Sequence, residues 1–596
     1  MARDHGAARV SAAPPPSPRW LIVLQAAVIL AAGWFAFSPA LHGSWLWDDR
    51  LDLPDNALLR DTAGLAKIWT EPALLYDFYP LKHTVQWVQW QLWHEHTFGY
   101  HLTNVALHLL GALLFWRVLR QLGLRLAWLG ALLFAVHPVV VESVAWIAEL
   151  KNTLALPPLL LALSAFITFA EHGRRSDQLR AVLWFLVTML CKTSAAMLPV
   201  VLLLYLWWQR GRVGWSGVRA VLPFFAISLV LGLVTIWFQQ HRAIGDDEFS
   251  IGGPLARLAL AGSASVFYFW KCVWPAGLVP IYPQWPIDPP SPLLFLPWPV
   301  LGAVLAGLWA KRATWGRHVL LGLGWFFLML APFSGLVTIS YLHFAWVMDH
   351  MVYVPLLGLI ALAVAGLDAL QARLAAPART LLVAGTVALG LWLSLLSHRY
   401  AEVFRDEKSL WTYTVERNPQ SWIAQHSLGI ALATAGRLPE AIEHYEHALR
   451  ARPNYPEARN SLGVALRDTG RLAEARSQLE EALREQPDYA EAHSNLGTVL
   501  RRTGHPDEAI LHYQEAIRLK PDFADAHYNL GNALQSLGRH PEAVASYEQS
   551  LRFQPNLSGT HRNITISLFA LGRVPEAKAH YARARELDPS LPNVTF

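Results

Sequence analysis

From Trp20 to about residue 400 the chain is a succession of apolar stretches, most of them long enough to cross a bilayer, separated by polar loops. About 20 apolar residues span the hydrocarbon core as a helix, so this pattern by itself selects a polytopic membrane domain. The stretches fall near 20–40, 102–119, 124–141, 153–170, 179–191, 194–208, 218–238, 255–273, 293–310, 318–336, 352–369 and 380–397. With 54% hydrophobic and only 16% charged residues, the chain is too apolar to be water-soluble, and nothing in it predicts a nucleic-acid partner. Cys191 and Cys272 sit in or beside apolar stretches and form no CxxC pair, so they read as packing residues rather than as a disulfide or metal site.

Basic residues concentrate in five short loops: Arg117, Arg120 and Arg125; Arg174, Arg175 and Arg180; Arg210, Arg212 and Arg219; Lys311, Arg312 and Arg317; Arg373 and Arg379. The positive-inside rule puts all five on the cytoplasmic side, together with the tail of residues 1–19 ahead of an uncleaved first helix. Three candidate spans separate Arg219 from Lys311, and an odd number cannot return the chain to the same side. The stretch 255–273, with Gly262, Ser263, Ser265 and Lys271, is therefore expected to be re-entrant or interfacial, leaving about eleven crossings over residues 20–400. The loop 41–100, the loop containing Tyr282 and the polar C-terminal part then face outward.

After a linker helix at 401–421 the chain becomes periodic. Pro419, Pro453, Pro487, Pro521, Pro555 and Pro589 recur every 34 residues, as do Gly436, Gly470, Gly504, Gly538 and Gly572. Small residues recur where two helices must approach closely (Gly429, Gly463, Gly497, Gly531), and Tyr445, Tyr513, Tyr547 and Tyr581 fill the larger gap. This pattern resembles the tetratricopeptide repeat, with five helical hairpins over residues 422–591 that bury their apolar faces by stacking. Two residues before the first glycine phase stand Ser427, Ser461, Asn495, Asn529 and Asn563. Three asparagines in register look like the ladder that holds an extended peptide in the superhelix of O-linked N-acetylglucosamine transferase, since an amide donates and accepts at once. The plainer alternative is that Asn suits these helix surfaces in many such repeats.

The first outer loop is far longer than a connection requires, and it carries Asp48, Asp49, Asp52, Asp55, Glu71, Asp77, His83, His94, Glu95 and His96 among many aromatics. Carboxylates beside a membrane are retained chiefly at an interface or in a watery cavity. Two chemical roles are open to the adjacent pair Asp48 and Asp49: general base toward an acceptor hydroxyl, or ligand of a divalent cation such as Mg or Mn that neutralises a phosphate leaving group. Two solvated aspartates at a helix end is the structural alternative.

An acidic pair in this position resembles the GT-C glycosyltransferases, which take a sugar from a polyprenyl-phosphate carrier. The segments WDDRLDLPDN, YPLKHTVQWVQWQLWHEHTFGYHLTNVALHLLGALLFWRVL, HPVVVESVAWIAELKNTLA and YFWKCVWPAGLVPIYPQW, followed by tetratricopeptide repeats, resemble the transmembrane-and-tetratricopeptide O-mannosyltransferases and their bacterial relatives. The resemblance implies an all-α chain with a GT-C-like membrane domain and a repeat solenoid. It also implies a lipid-linked sugar donor and a protein hydroxyl acceptor.

By position, Asp48 and Asp49 match the acidic motif and Asn56 the asparagine that follows it. His101, Asn104 and His108 match a motif whose spacing puts all three on one helical face. His137, Glu142 and Lys151 match the HPxxxE stretch and its sequel. Relatives commonly carry Arg between the residues equivalent to Tyr79 and Pro80; here Lys82 takes over that anion contact, or nothing does. Lys192, Lys271 and Tyr282 complete the candidates for the donor phosphate or the cavity, each with an alternative reading as a snorkelling or packing residue.

The function expected is transfer of a sugar from a polyprenyl phosphate to a Ser or Thr hydroxyl delivered by the repeats. A membrane-anchored repeat scaffold without catalysis and a transferase acting on a glycan are the rival readings. A bacterial inner membrane with periplasmic repeats is the expected location, with the endoplasmic reticulum as the alternative.

Overall fold

The computed structural model describes residues 18–243 and 251–594, and most of the tail expected to be cytoplasmic, residues 1–17, lies outside them. Two compact units divide the chain, Met1–Asn418 and Pro419–Phe596. Among the described residues every regular element is helical.

Among the described residues of the first unit seven helical segments are long and apolar enough to span a bilayer: Arg19–His42, Phe98–Gln121, Ile147–His172, Trp215–Arg242, Pro292–Ala310, Gly316–Phe333 and Ala376–Phe404. An eighth passes the test as a bent pair, Ala127–Ala135 with Pro138–Ala145, turned by 53°. Pro138 causes the break, because it lacks an N–H and cannot sit within a continuous helix without a clash. Shorter helices, Arg175–Cys191, Leu198–Arg210 and Leu356–Gln371, occupy the stretches near 179–191, 194–208 and 352–369. Pro254–Val273 is one unbroken helix that is absent from the spanning set. Its continuity is incompatible with a re-entrant hairpin, so only the interfacial form of that expectation fits.

Burial separates centre from rim. The Ile147–His172 span is 72% buried and Phe98–Gln121 56%, whereas Pro292–Ala310 is 6% buried although equally apolar. Leu229, Val230 and Leu233 are exposed on Trp215–Phe238 in the same way. Apolar surface of this extent is stable only against lipid.

The first outer loop folds into a cap. Thr62–Thr70 and Pro80–Trp93 are its main helices, the second opened by a proline at its first position. One cluster, Leu53, Leu59, Trp90, Tyr100 and Ile147, pins the cap to the segment 141–149, the second outer loop, and another, Ile68, Leu75 and Phe238, pins it to the end of Trp215–Phe238. The segment expected to be a linker also belongs here. Glu407–Arg417 buries Trp411, Tyr413 Oη donates to Leu278 O at 3.1 Å, and Asn418 donates to Ile281 O at 3.2 Å. A linker has few such contacts, so residues 401–418 are an integral part of the membrane unit.

The second unit is five helical hairpins, from Trp422–Thr434 paired with Leu438–Ala451 through Ser558–Ala570 paired with Val574–Leu587. At Gly429 an added Cβ would lie 2.5 Å from the Tyr445 ring, which explains the small residue at that phase. Gly436 adopts φ 77°, the left-handed conformation that ends a helix.

Candidate functional site

The acidic pair is aimed by its neighbour. Trp47 holds φ 42°, left-handed backbone that costs a non-glycine residue roughly 1–3 kcal/mol and persists only where packing enforces it. Its indole stacks on Trp146 at 5.4 Å and meets Phe344 and Trp411 edge-on at 5.3 Å each. That turn separates two carboxylates that the sequence leaves equivalent. Asp49 is fully buried, its Oδ2 accepting from Leu46 N at 2.8 Å and its Oδ1 from Ala148 N at 2.7 Å. It clamps the first outer loop to the second, and both of its oxygens are occupied. Asp48 is only partly buried, yet its Oδ1 is sequestered and without a hydrogen-bond partner. Burial pushes the Asp48 carboxyl up to about 7, a rise that Lys151 opposes and that Asp52 and Glu149 reinforce. A general base works best with an affinity for protons near the operating pH. Of the two, Asp48 is the one free to act.

Around Asp48 the charges are paired. Lys82, almost wholly buried, donates to Asp52 Oδ2 at 2.6 Å. Burial would raise Asp52, but Lys82 and His83 hold it below its ordinary value. The lysine expected to meet an anion is thus tied to a carboxylate of its own loop. Across the cleft, Lys151 Nζ lies 3.1 Å and Lys192 Nζ 3.8 Å from Glu149 carboxylate oxygens, and Lys192 also donates to Asn152 Oδ1 at 2.7 Å. Burial draws Lys192 down to about 8, with Glu149 acting against the shift.

Behind this group lies a residue the sequence reading missed. His350 Nδ1 stands 2.7 Å from Glu142 Oε1, its backbone N–H donates to Glu142 Oε2 at 3.2 Å, and its Nε2 is 3.9 Å from Glu149 Oε1. His350 thereby joins Glu142 of the HPxxxE stretch to the Glu149 cluster. Its partner in sequence, Asp349, accepts from Tyr282 Oη at 2.9 Å and Tyr400 Oη at 3.4 Å, and burial together with Glu142 raises it well above the usual carboxylate range. The available signal was an Asp-His dipeptide immediately before an apolar stretch, the same kind of feature that marked Asp48 and Asp49.

Other expected residues lie apart from this cluster. His137 Nε2 meets Cys272 O at 3.0 Å and its Nδ1 accepts from Val139 N, which makes it the cap of the break at Pro138. Lys271 donates to Ala276 O at 2.7 Å and Gly277 O at 3.0 Å and lies over the Tyr282 ring, closing the turn after its helix. His101, Asn104 and His108 do share one face of Phe98–Gln121, but they pack it. His101 is buried against Gly43, Asn104 donates to Trp146 O at 2.9 Å, and His108 meets Tyr353 Oη at 2.8 Å and Ala135 O at 3.1 Å. In the repeat unit, Asn495 donates to Asn460 Oδ1 at 2.8 Å and Asn563 to Asn532 Oδ1 at 2.7 Å, while Asn529 makes no side-chain hydrogen bond.

A divalent cation at Asp48 and Asp49 would meet one carboxylate with an unpartnered oxygen and one already engaged by the backbone. Asp49 already accepts two amide hydrogens, and no three His, Cys, Asp or Glu side chains among the described residues converge on one point.

Residues 80–238 match the family described as dolichyl-phosphate-mannose-protein mannosyltransferase. Residues 407–456, 426–490 and 524–557 match tetratricopeptide repeats, and 499–538 match a TPR repeat. The chain thus pairs a membrane domain that is similar in part to mannosyltransferases with a tetratricopeptide array. It is similar to the protein O-mannosyl-transferase Tmtc3 of Drosophila melanogaster, 24% identical over 437 residues, covering 59% of this chain and 46% of that one. A protein O-mannosyl-transferase of Caenorhabditis elegans is 24% identical over 192 residues, 28% of this chain and 26% of that one. The chain therefore spans about half or less of the length of the curated relatives it matches. Among solved structures, MamA matches 27% of this chain and 95% of its own, at 29% identity and a TM-score of 0.25. The mannosyltransferase match covers Lys82, His137, Glu142, Glu149, Lys151 and Lys192, but ends before Asp349 and His350 and begins after Asp48.

Proposed function

We propose that this protein transfers mannose from a polyprenyl-phosphate carrier to a Ser or Thr hydroxyl of a protein, with Asp48 as the general base. The observation that carries the reading is the division of labour in the acidic pair, one carboxylate spent on two amides and the other keeping a sequestered, unpartnered oxygen. The acceptor hydroxyl gives its proton to Asp48 as its oxygen bonds to the anomeric carbon. The bond from that carbon to the carrier's phosphate breaks, and the phosphate leaves with the electron pair. Lys151, which acts on the free carboxylate, and Lys192, which shares Glu149 with it, meet the charge on that phosphate. Glu149 keeps both ammonium groups in place before the donor arrives, so little reorganisation is needed in the reaction. Positioning and proton transfer supply the catalysis, since the leaving group is already ionised.

In this reading the repeats bind the acceptor as an extended peptide. Residues Asn495, Asn529 and Asn563 grip its backbone rather than its side chains. The location that suits such a reaction is a bacterial inner membrane with the first outer loop and the repeats both periplasmic, supported by the five basic loops that share the opposite side.

The test uses the full chain in detergent with labelled polyprenyl-phosphate mannose and a Ser/Thr-containing peptide. Transfer is expected from the wild type and lost in Asp48→Asn. Transfer that survives this substitution overturns the assignment of the base.

A further inference from the structure

Far from Asp48, the membrane unit contains a cavity of about 240 Å³ that the proposed reaction does not use. Its walls are apolar and come from five helices, with Phe115, Leu160, Val201, Leu321, Leu357 and Ala361 among the contributing residues. Leu122, just past the C-terminus of Phe98–Gln121, also lines it, whereas the N-terminus of that helix borders the first outer loop. At 1.5 Å per residue the two ends lie roughly 35 Å apart.

The lining is not uniform. At the end marked by Leu122 it also includes Leu124, Trp208 and the exposed His318, whose Nδ1 accepts from Trp208 Nε1 at 2.9 Å. In sequence these residues adjoin Arg125, Arg210 and Arg317, and Leu122 follows Arg120 by two positions. Arg317 Nε is buried without a hydrogen-bond partner. Two acids stand at the same end. The Asp368 carboxylate already accepts from the Arg125 and Leu126 amides, and Glu171 lies near Tyr205. Arginines therefore outnumber acids beside an apolar cavity. Water has almost nothing to bond to inside it, and a void there forfeits dispersion contacts along its whole lining.

We infer that this cavity holds an acyl chain of an anionic phospholipid from the leaflet on the arginine side, with its phosphate met by Arg317 and the neighbouring Arg120 and Arg125. Basic pockets between spanning helices on the cytoplasmic side recognise acidic headgroups by the same chemistry. The occupant is a lipid of the bilayer rather than the sugar carrier, because the cavity lies at the opposite end of the central helix from Asp48 and its charge partners.

Native mass spectrometry of the full chain in mild detergent tests this, with phosphatidylglycerol and phosphatidylcholine as probes and polyprenyl phosphate as competitor. The wild type is expected to retain phosphatidylglycerol in preference to phosphatidylcholine. Ala361→Phe and Ala365→Phe fill the cavity from two positions and are each expected to reduce retention several-fold. The double variant Arg317→Gln, Arg125→Gln, which leaves the walls intact, is expected to abolish the headgroup preference. Unchanged retention in whichever cavity-filling variant folds overturns the inference, as does displacement of phosphatidylglycerol by polyprenyl phosphate. Mannosyl transfer measured in parallel separates this site from the proposed reaction, since loss of lipid with transfer intact leaves that reaction untouched.

Discussion

The two units handle charge in opposite ways. In the repeats, Arg437–Glu440, Arg471–Glu474, Arg539–Glu542 and Arg573–Glu576 are the same pair four times over, three residues apart on one helical turn and exposed on both sides. The membrane unit holds two pairs that are buried or nearly so and distant in sequence: Glu142 with His350 across 208 positions, and Lys82 with Asp52 across 30. An exposed pair exchanges hydration for a screened attraction and gains little. A buried charge has lost its water and depends on its partner, so removing one side leaves an uncompensated group. These four pairs are thus incidental to the fold of the array, whereas Glu142–His350 and Lys82–Asp52 hold a site together.

The largest effect expected lies inside the acidic pair. Asp48→Asn should lower the rate of mannosyl transfer by ~10²- to 10⁴-fold, the usual worth of a positioned general base, while thermal unfolding of the purified protein stays where it was or shifts upward. Asp49→Asn should do the reverse in kind. One oxygen of the clamp becomes an NH₂ facing an amide N–H, and a buried group left unmatched costs about 1–3 kcal/mol, read as a lower melting temperature. A result with the two phenotypes exchanged would dissolve the distinction between clamp and base.

Next in size is His350. His350→Ala strips the buried Glu142 carboxylate of a side-chain hydrogen-bond partner, which costs about 1–3 kcal/mol. Activity should fall with it. His350→Gln, which restores a donor toward Glu142, should recover stability more than rate if the ring also orders Glu149. Equal recovery of both would reduce the histidine to packing.

The pH profile sharpens the same contrast. Asp48 must be ionised to accept a proton, so transfer should rise as pH passes about 7, and it should fall again as Lys192 loses its charge above about 8. The sign for stability is opposite. Between its ordinary value of 3.8 and about 7, the folded state holds a proton on Asp48 that the unfolded chain has released, so this group's contribution to stability declines as pH rises through that window. Asp48→Asn should remove the decline, measured as the difference in melting temperature between pH 5 and pH 8.

These contrasts also explain what was readable in the sequence. The array was legible down to single positions, because each Gly and Pro answers a constraint within one hairpin and the constraint recurs every 34 residues. Seven of the twelve apolar stretches coincide with helices long and apolar enough to span, because the bilayer imposes length and hydropathy on each one separately. Asp48 and Asp49 were found as a pair but could not be told apart, since what distinguishes them is an amide 99 residues away at Ala148. His350 escaped for the same reason, its meaning resting on Glu142. The spacing of His101, Asn104 and His108 correctly gave a shared face, but a face is equally suited to packing or chemistry, and only the contacts with Trp146, Ala135 and Tyr353 decide for packing.

Smaller effects belong to the array. Asn495 and Asn563 already spend their amides on neighbouring repeats, whereas Asn529 has both its donor and its acceptor free. If the repeats hold a peptide backbone, Asn529→Ala should raise the KM for a long peptide acceptor with kcat unchanged and leave the KM for a short one where it was. Replacing Arg437, Arg471, Arg539 and Arg573 together by Gln should move neither the melting temperature nor transfer, since the hydrogen-bonded partner each loses is exposed and three residues away. A concerted loss of stability in that quadruple variant, reversed by salt, would mean that the four pairs act as one network along the solenoid. Charge in the two units would then differ in burial but not in consequence.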